Sequence, residues 1–209
     1  MAREEAEADA VARFGGASQI AARDRHRSLG DVVRGITVSA CTLGAFGAVA
    51  VGISGIIAGL MRLAGASNVF IAGDQSTSHL GAADCARWLA GYPHAQTCAQ
   101  AALADWAWET VGYRIALGVL GLAALGVLVV ARRRWSPARG WAPLPSTVVD
   151  TIATTVFLGA GIWLGGLGID ALVVRSGHGA GMWLSAAPVA LAAAVLSGLR
   201  LLRDVTQTA

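Results

Sequence analysis

Apolar and polar residues along this chain are gathered into long separate blocks. Gly35 to Met61 runs for 27 residues without a charge. At about 1.5 Å per helical residue, that exceeds the roughly 30 Å hydrocarbon core of a bilayer. Ile115 to Ala131 is an apolar run of 17, closed by Arg114 on one side and by Arg132, Arg133 and Arg134 on the other. Val148 to Ile169 is interrupted only by Asp150, and Met182 to Leu199 ends at Arg200 and contains Pro188, where a kink is expected. None of these runs alternates with the two-residue period that separates the two faces of a barrel strand. The pattern therefore predicts an all-α integral membrane protein with four transmembrane helices, at 35–61, 115–131, 148–169 and 182–199.

The water-facing pieces follow by subtraction: a mobile tail at 1–34, an extracytoplasmic loop at 62–114, a basic loop at 132–147, a short outer loop at 170–181 and a tail at 200–209. Their charges set an orientation. All 16 basic residues are arginine. Twelve fall before span one, between spans two and three, or after span four; only Arg62, Arg87, Arg114 and Arg175 fall on the other side. Positive charge near span ends is retained in the cytoplasm, so both termini are expected there, and the lysine-free, Arg-, Ala- and Gly-rich composition points to a bacterial cytoplasmic (inner) membrane. The first apolar run is too long, and starts too late, for a cleaved signal peptide.

Composition removes the competing classes. The chain has 209 residues, 55% of them apolar and 14% charged. An ordinary soluble domain has about 45–50% and about 25%. Disorder, collagen and disulfide-dense scaffolds do not fit either, with so little charge, no Gly-X-Y period and three cysteines. A pI near 9.1 comes from topology-setting arginines rather than a folded basic face, so nucleic acid is not an expected partner.

The loop at 62–114 is the largest water-facing piece. Its Cys85 and Cys98 would close a 14-residue loop as a structural disulfide, which the chain-entropy model values at roughly 3 kcal/mol. Gly91, Tyr92, Pro93 and His94 form a turn signal between helical patterns at Ala82–Ala90 and Ala95–Val111, so a disulfide-linked helical hairpin running into span two is expected. The spacing of 13 is unlike the Cys-x-x-Cys of thiol oxidoreductases. His79, Asp84, Cys85, His94 and Cys98 share this loop but lack a repeated ligand spacing, so no metal is assigned. Cys41, within span one, is expected to be a small buried hydrophobe.

Other chemistries are short of parts. His26, His79, His94 and His178 all lie outside the spans, which excludes bis-histidine haem, and no cofactor is expected. Ion-coupled transport normally needs ionisable groups at mid-membrane depth, and none is expected there. Asp150 lies near a boundary, where it would pair with Arg132, Arg133 or Arg139 or sit at a helix N-terminus. Asp170, Arg175 and His178 admit a similar local pairing. No nucleotide loop, nucleophile elbow or zinc-protease motif occurs.

The 27 glycines have a use in lipid, where small residues about four apart let helices approach closely. Gly44, Ala48, Gly52, Gly55 and Gly59 in span one, Gly161 and Gly165 in span three, and Ala190, Ala194 and Gly198 in span four are the expected packing positions. Arg132, Arg133, Arg134 and Arg139 are the expected contacts to anionic headgroups or a partner. The whole points to a non-enzymatic accessory or assembly subunit, with the bilayer and a membrane protein or a second copy as partners. A shared-pore transporter is the alternative, and it would depend on Thr37, Ser39, Thr42, Ser54, Thr151, Thr154 and Thr155. A thiol-redox or metal enzyme built on Cys85, Cys98 and His94 is a third reading.

Overall fold

The computed structural model describes residues 29–73, 81–134 and 145–208. Six helices lie in this part: α1 (Leu29–Leu63), α2 (Asn68–Ala72), α3 (Ala82–Gly91), α4 (Cys98–Arg134), α5 (Ser146–Val173) and α6 (Ala180–Thr208). Four contain stretches long and apolar enough to cross a membrane: Val33–Leu63, Cys98–Ala131, Ser146–Val173 and Ala180–Thr206. The chain is a helical, multi-pass membrane protein. Most of the tail expected at 1–34, together with Arg139 and His79, lies outside the described residues.

Every long helix overruns the apolar run that predicted it. At 37 residues, α4 is about 55 Å long. It starts sixteen residues before Arg114, so that arginine interrupts no helix. The segment expected as a tail from Arg200 is helical to Thr208, and its Leu201, Leu202 and Val205 continue an apolar pattern. Helix continuity depends on backbone hydrogen bonds rather than side-chain polarity, and long charged side chains can reach water from a helix embedded in lipid. α6 also runs unbroken through Pro188, whose ring removes one N–H from the ladder.

The long helices are arranged as two antiparallel pairs, α1 with α4 and α5 with α6, joined chiefly through α1 and α6. Small residues determine both pairings. Gly52 of α1 and Gly118 of α4 meet backbone to backbone, and a Cβ on Gly118 would lie 2.6 Å from the Gly52 Cα. A Cβ on Gly55 would lie 2.6 Å from the Arg114 Cβ, and one on Gly121 would lie 2.7 Å from the Ala45 carbonyl oxygen. In the second pair, Gly161 and Gly168 receive the side chains of Leu191 and Leu184.

At the end of the bundle that carries α2 and α3, α2 packs against both pairs while α3 lies on α4. Ser67 caps α2 by accepting from the Phe70 N–H at 3.1 Å. Gly73 ends it at φ +83°, a conformation glycine adopts without a Cβ penalty. Ile71 is fully buried in a cluster with Ala58, Ala107 and Val111, and the Gly179 N–H donates to the Val69 carbonyl at 2.9 Å. α2 thus ties α1 and α4 to the turn between α5 and α6.

Candidate functional site

The α2–α3 end is built around two charged residues. Thr97 starts α4 by accepting from the Gln100 N–H at 3.2 Å, while the Gln100 side chain accepts from the Gln96 N–H at 2.9 Å, an arrangement close to a capping box. One turn earlier, Gly91 to His94 reverse the chain so that α3 lies along the start of α4. Cys85 and Cys98 face each other there with Cα atoms 5.3 Å apart, inside the range that a disulfide requires.

Asp105, which the sequence reading passed over, fastens the same hairpin. Its carboxylate accepts from the Trp88 indole N–H at 2.9 Å and from the Tyr92 hydroxyl at 3.3 Å. Burial, and then the neighbouring Asp105 carboxylate, pushes the Tyr92 hydroxyl above its ordinary pKa. Trp88 also meets Trp106 edge to face at 6.1 Å. The signal lies in the spacing: Asp105 is seven residues after Cys98, which at about 100° per residue puts both on one face of α4.

Arg62, at the end of α1, makes the second anchor. Its Nε donates to the Asn68 Oδ1 at 2.8 Å, its Nη2 to the Ala104 carbonyl at 3.4 Å, and its guanidinium lies 4.2 Å from the Trp108 ring centre. Such a stacked cation is worth about 0.5–2 kcal/mol according to its exposure.

Deeper in the bundle, Arg114, expected only to bound span two, lies within α4 and turns its side chain in among the helices. Its Nη1 donates to the Ser185 Oγ at 3.2 Å, the Met182 carbonyl at 3.1 Å and the Ser54 Oγ at 3.4 Å. Ser54 and Ser185 are buried, at 1% and 0% exposure. Ser54 is seven residues inside the Met61 end of span one, a depth of about 10 Å along the helix. One guanidinium therefore joins α1, α4 and α6 within apolar surroundings, where the alternative is an unsatisfied polar group.

Five threonine hydroxyls in or beside the spans turn back onto their own helices. Thr37 donates to the Val33 carbonyl, Thr42 to Val38, Thr151 to Thr147, Thr154 to Asp150 and Thr155 to Thr151. Ser54 likewise donates to the Val51 carbonyl while accepting from Arg114.

Beyond the Arg114 junction the two pairs diverge. Between α1 on one side and α5 and α6 on the other lies a groove of about 620 Å³. Apolar side chains such as Phe46, Ile53, Ala153, Phe157 and Ala193 form its walls, and Asp150 and Arg200 lie at the end remote from the hairpin. Asp150 is past the first turn of α5, which corrects the helix-terminus role expected of it. Among the described residues neither Asp150 nor Arg200 makes an ion pair. The Ser146 hydroxyl instead joins the start of α5 to Asp204 of α6 at 2.8 Å.

The expected packing positions divide. Gly52, Gly55, Ala48 and Gly59 face α4, and Gly161 faces α6. The space around Gly165 is looser, with Ala187 at 3.9 Å from its would-be Cβ, and Gly198 lies against Thr154. Ala190 and Ala194 are buried. Gly44 has open space around it, and Ala45 takes the packing place. The reason is angular: seven residues separate 45 from 52 and bring the helix to within about 20° of one face, whereas eight residues rotate it about 80° away. Cys41 is exposed on the outside of the bundle, contrary to expectation. Tight α1–α4 packing ends near Gly121, and Gly126 one turn further has nothing around it.

Arg133 and Arg134 are exposed at the end of α4; the Arg132 side chain and all of Arg139 lie outside the described parts. Arg175 pairs with Asp170 at 3.6 Å on the surface, the local pairing expected there, worth about 0–1 kcal/mol. Among the described residues no three His, Cys, Asp or Glu side chains converge as metal ligands. The fold and site define the chain as a four-span helical membrane protein with a compact helical head. Comparison with known proteins finds no matching family model, curated protein or solved structure.

Proposed function

We propose that this protein is a non-enzymatic accessory or assembly subunit of a complex in a bacterial cytoplasmic membrane. Both termini face the cytoplasm, the α2–α3 head faces outward, and Cys85 and Cys98 are joined there as a disulfide. One observation carries the reading: polar side chains within the bundle hold helices in place. Arg114 bridges helices, and the threonines on which a shared pore would depend donate to their own backbone carbonyls. The water-facing surface available to a protein partner is then chiefly the head, stiffened by Asp105 and Arg62. The arginine distribution supports the orientation, with Arg34, Arg133, Arg134, Arg200 and Arg203 at the far end.

A photo-crosslinking residue in place of Leu89, an exposed position on α3, tests this. The expected result is one discrete adduct with a single membrane protein, lost when Cys85 and Cys98 are both replaced by serine, while purified protein leaves lipid vesicles impermeable to small solutes. An uncrosslinked chain whose reconstitution makes vesicles permeable would contradict the proposal and favour transport.

A further inference from the structure

The groove between α1 and the α5–α6 pair has a shape and a charge pattern that together select an occupant. It extends along α6 from Pro188 to Arg200, twelve residues or about 18 Å. That length slightly exceeds one leaflet of the hydrocarbon core, about 15 Å. Its walls are apolar along this length, so a single hydrocarbon chain matches the groove in both length and chemistry. An empty groove in a bilayer would forfeit dispersion contacts along its walls, so a chain-shaped occupant is favoured.

The mouth then specifies the headgroup. Arg200 offers a planar set of donors suited to phosphate oxygens. Asp150 offers a carboxylate, an acceptor for an ammonium group, and among the described residues neither is held by an ion pair of its own. Thr42 and Ser197 line the groove near the same end. A lipid with an anionic phosphate and a terminal ammonium complements both charges. A phosphatidylglycerol headgroup would satisfy Arg200 but set a neutral glycerol and a net negative charge beside Asp150.

We propose that this groove is a binding site for one aminophospholipid of the phosphatidylethanolamine type, with an acyl chain between α1 and α6, its phosphate at Arg200 and its ammonium at Asp150. The inference goes beyond the accessory reading and does not depend on it. The test is to equilibrate purified full-length protein with vesicles of equal phosphatidylethanolamine and phosphatidylglycerol content, then weigh retained lipids by native mass spectrometry. The wild type should retain one phosphatidylethanolamine with about a fivefold preference, the value of one charge contact near a membrane surface. Asp150→Asn should bring the preference close to parity. Ala193→Phe and Ala50→Phe, which fill the groove from opposite walls, should lose both lipids while keeping the wild-type melting temperature. Equal retention of the two lipids by the wild type, undiminished retention in both filled variants, or a crosslink placing a second copy or residues 1–28 in the groove would overturn the proposal.

Discussion

Replacing Arg114 by alanine is expected to loosen the two helix pairs from each other at a cost of about 2 kcal/mol, taking three polar contacts at the roughly 0.6 kcal/mol typical within membranes. Ser54 and Ser185 each keep an intrahelical acceptor, the Val51 and Met182 carbonyls, so each pair should remain folded. Unfolding in mixed detergent and lipid micelles gives the stability, and spin labels at Val51 and Val195 report whether the distance between α1 and α6 broadens. Coupling to Ser185→Ala separates the bridge from simple truncation, because residues sharing a bond give non-additive losses. A variant as stable as the wild type with an unchanged distance distribution would show that Arg114 does not join the pairs.

A methyl group on Gly118 should have an opposite effect from one on Gly126. At Gly118 the added Cβ meets the Gly52 Cα at 2.6 Å, and backbone cannot move aside as a flexible side chain can. Gly118→Ala should therefore cost about 1–3 kcal/mol or more as the α1–α4 contact is forced apart. Gly126 has nothing within 4 Å, so Gly126→Ala should be neutral or stabilising by up to about 1 kcal/mol through helix propensity. The same micelle unfolding measures both. Equal effects at the two positions would mean that the helices do not approach closely at Gly52.

The Gly52 side of this contact is legible in the sequence, whereas the Gly118 side is not. Gly52, Gly55 and Gly59 were legible because a packing face repeats within a single helix, and four long apolar blocks announce four helices by their lengths. Gly44 misled because counting by fours drifts off the face, whereas the real stripe steps by three and four through Ala45. Arg114 could not be placed because its partners are 60, 68 and 71 residues away, and no local period encodes which helices become neighbours. A charge ends an apolar run, so the sequence marks Arg114 only as a boundary. The helix itself continues, and the buried serines in two other spans were the overlooked sign that a donor needed company. Asp105 carries a weaker local signal, its place one heptad after Cys98 on the same face of α4.

The claim beneath all of this is that lipid surrounds α1, α4, α5 and α6. Single cysteines at Val51, Leu122, Ile162 and Val195, all outward-facing, together with others at Leu89 and Thr206, can be treated in sealed vesicles with a membrane-impermeant maleimide, in a background where Cys41, Cys85 and Cys98 are serine. The account predicts that the first four stay unlabelled from either side, and that Leu89 and Thr206 label from opposite sides. Labelling of any of the four from water, or of Leu89 and Thr206 from the same side, would contradict it.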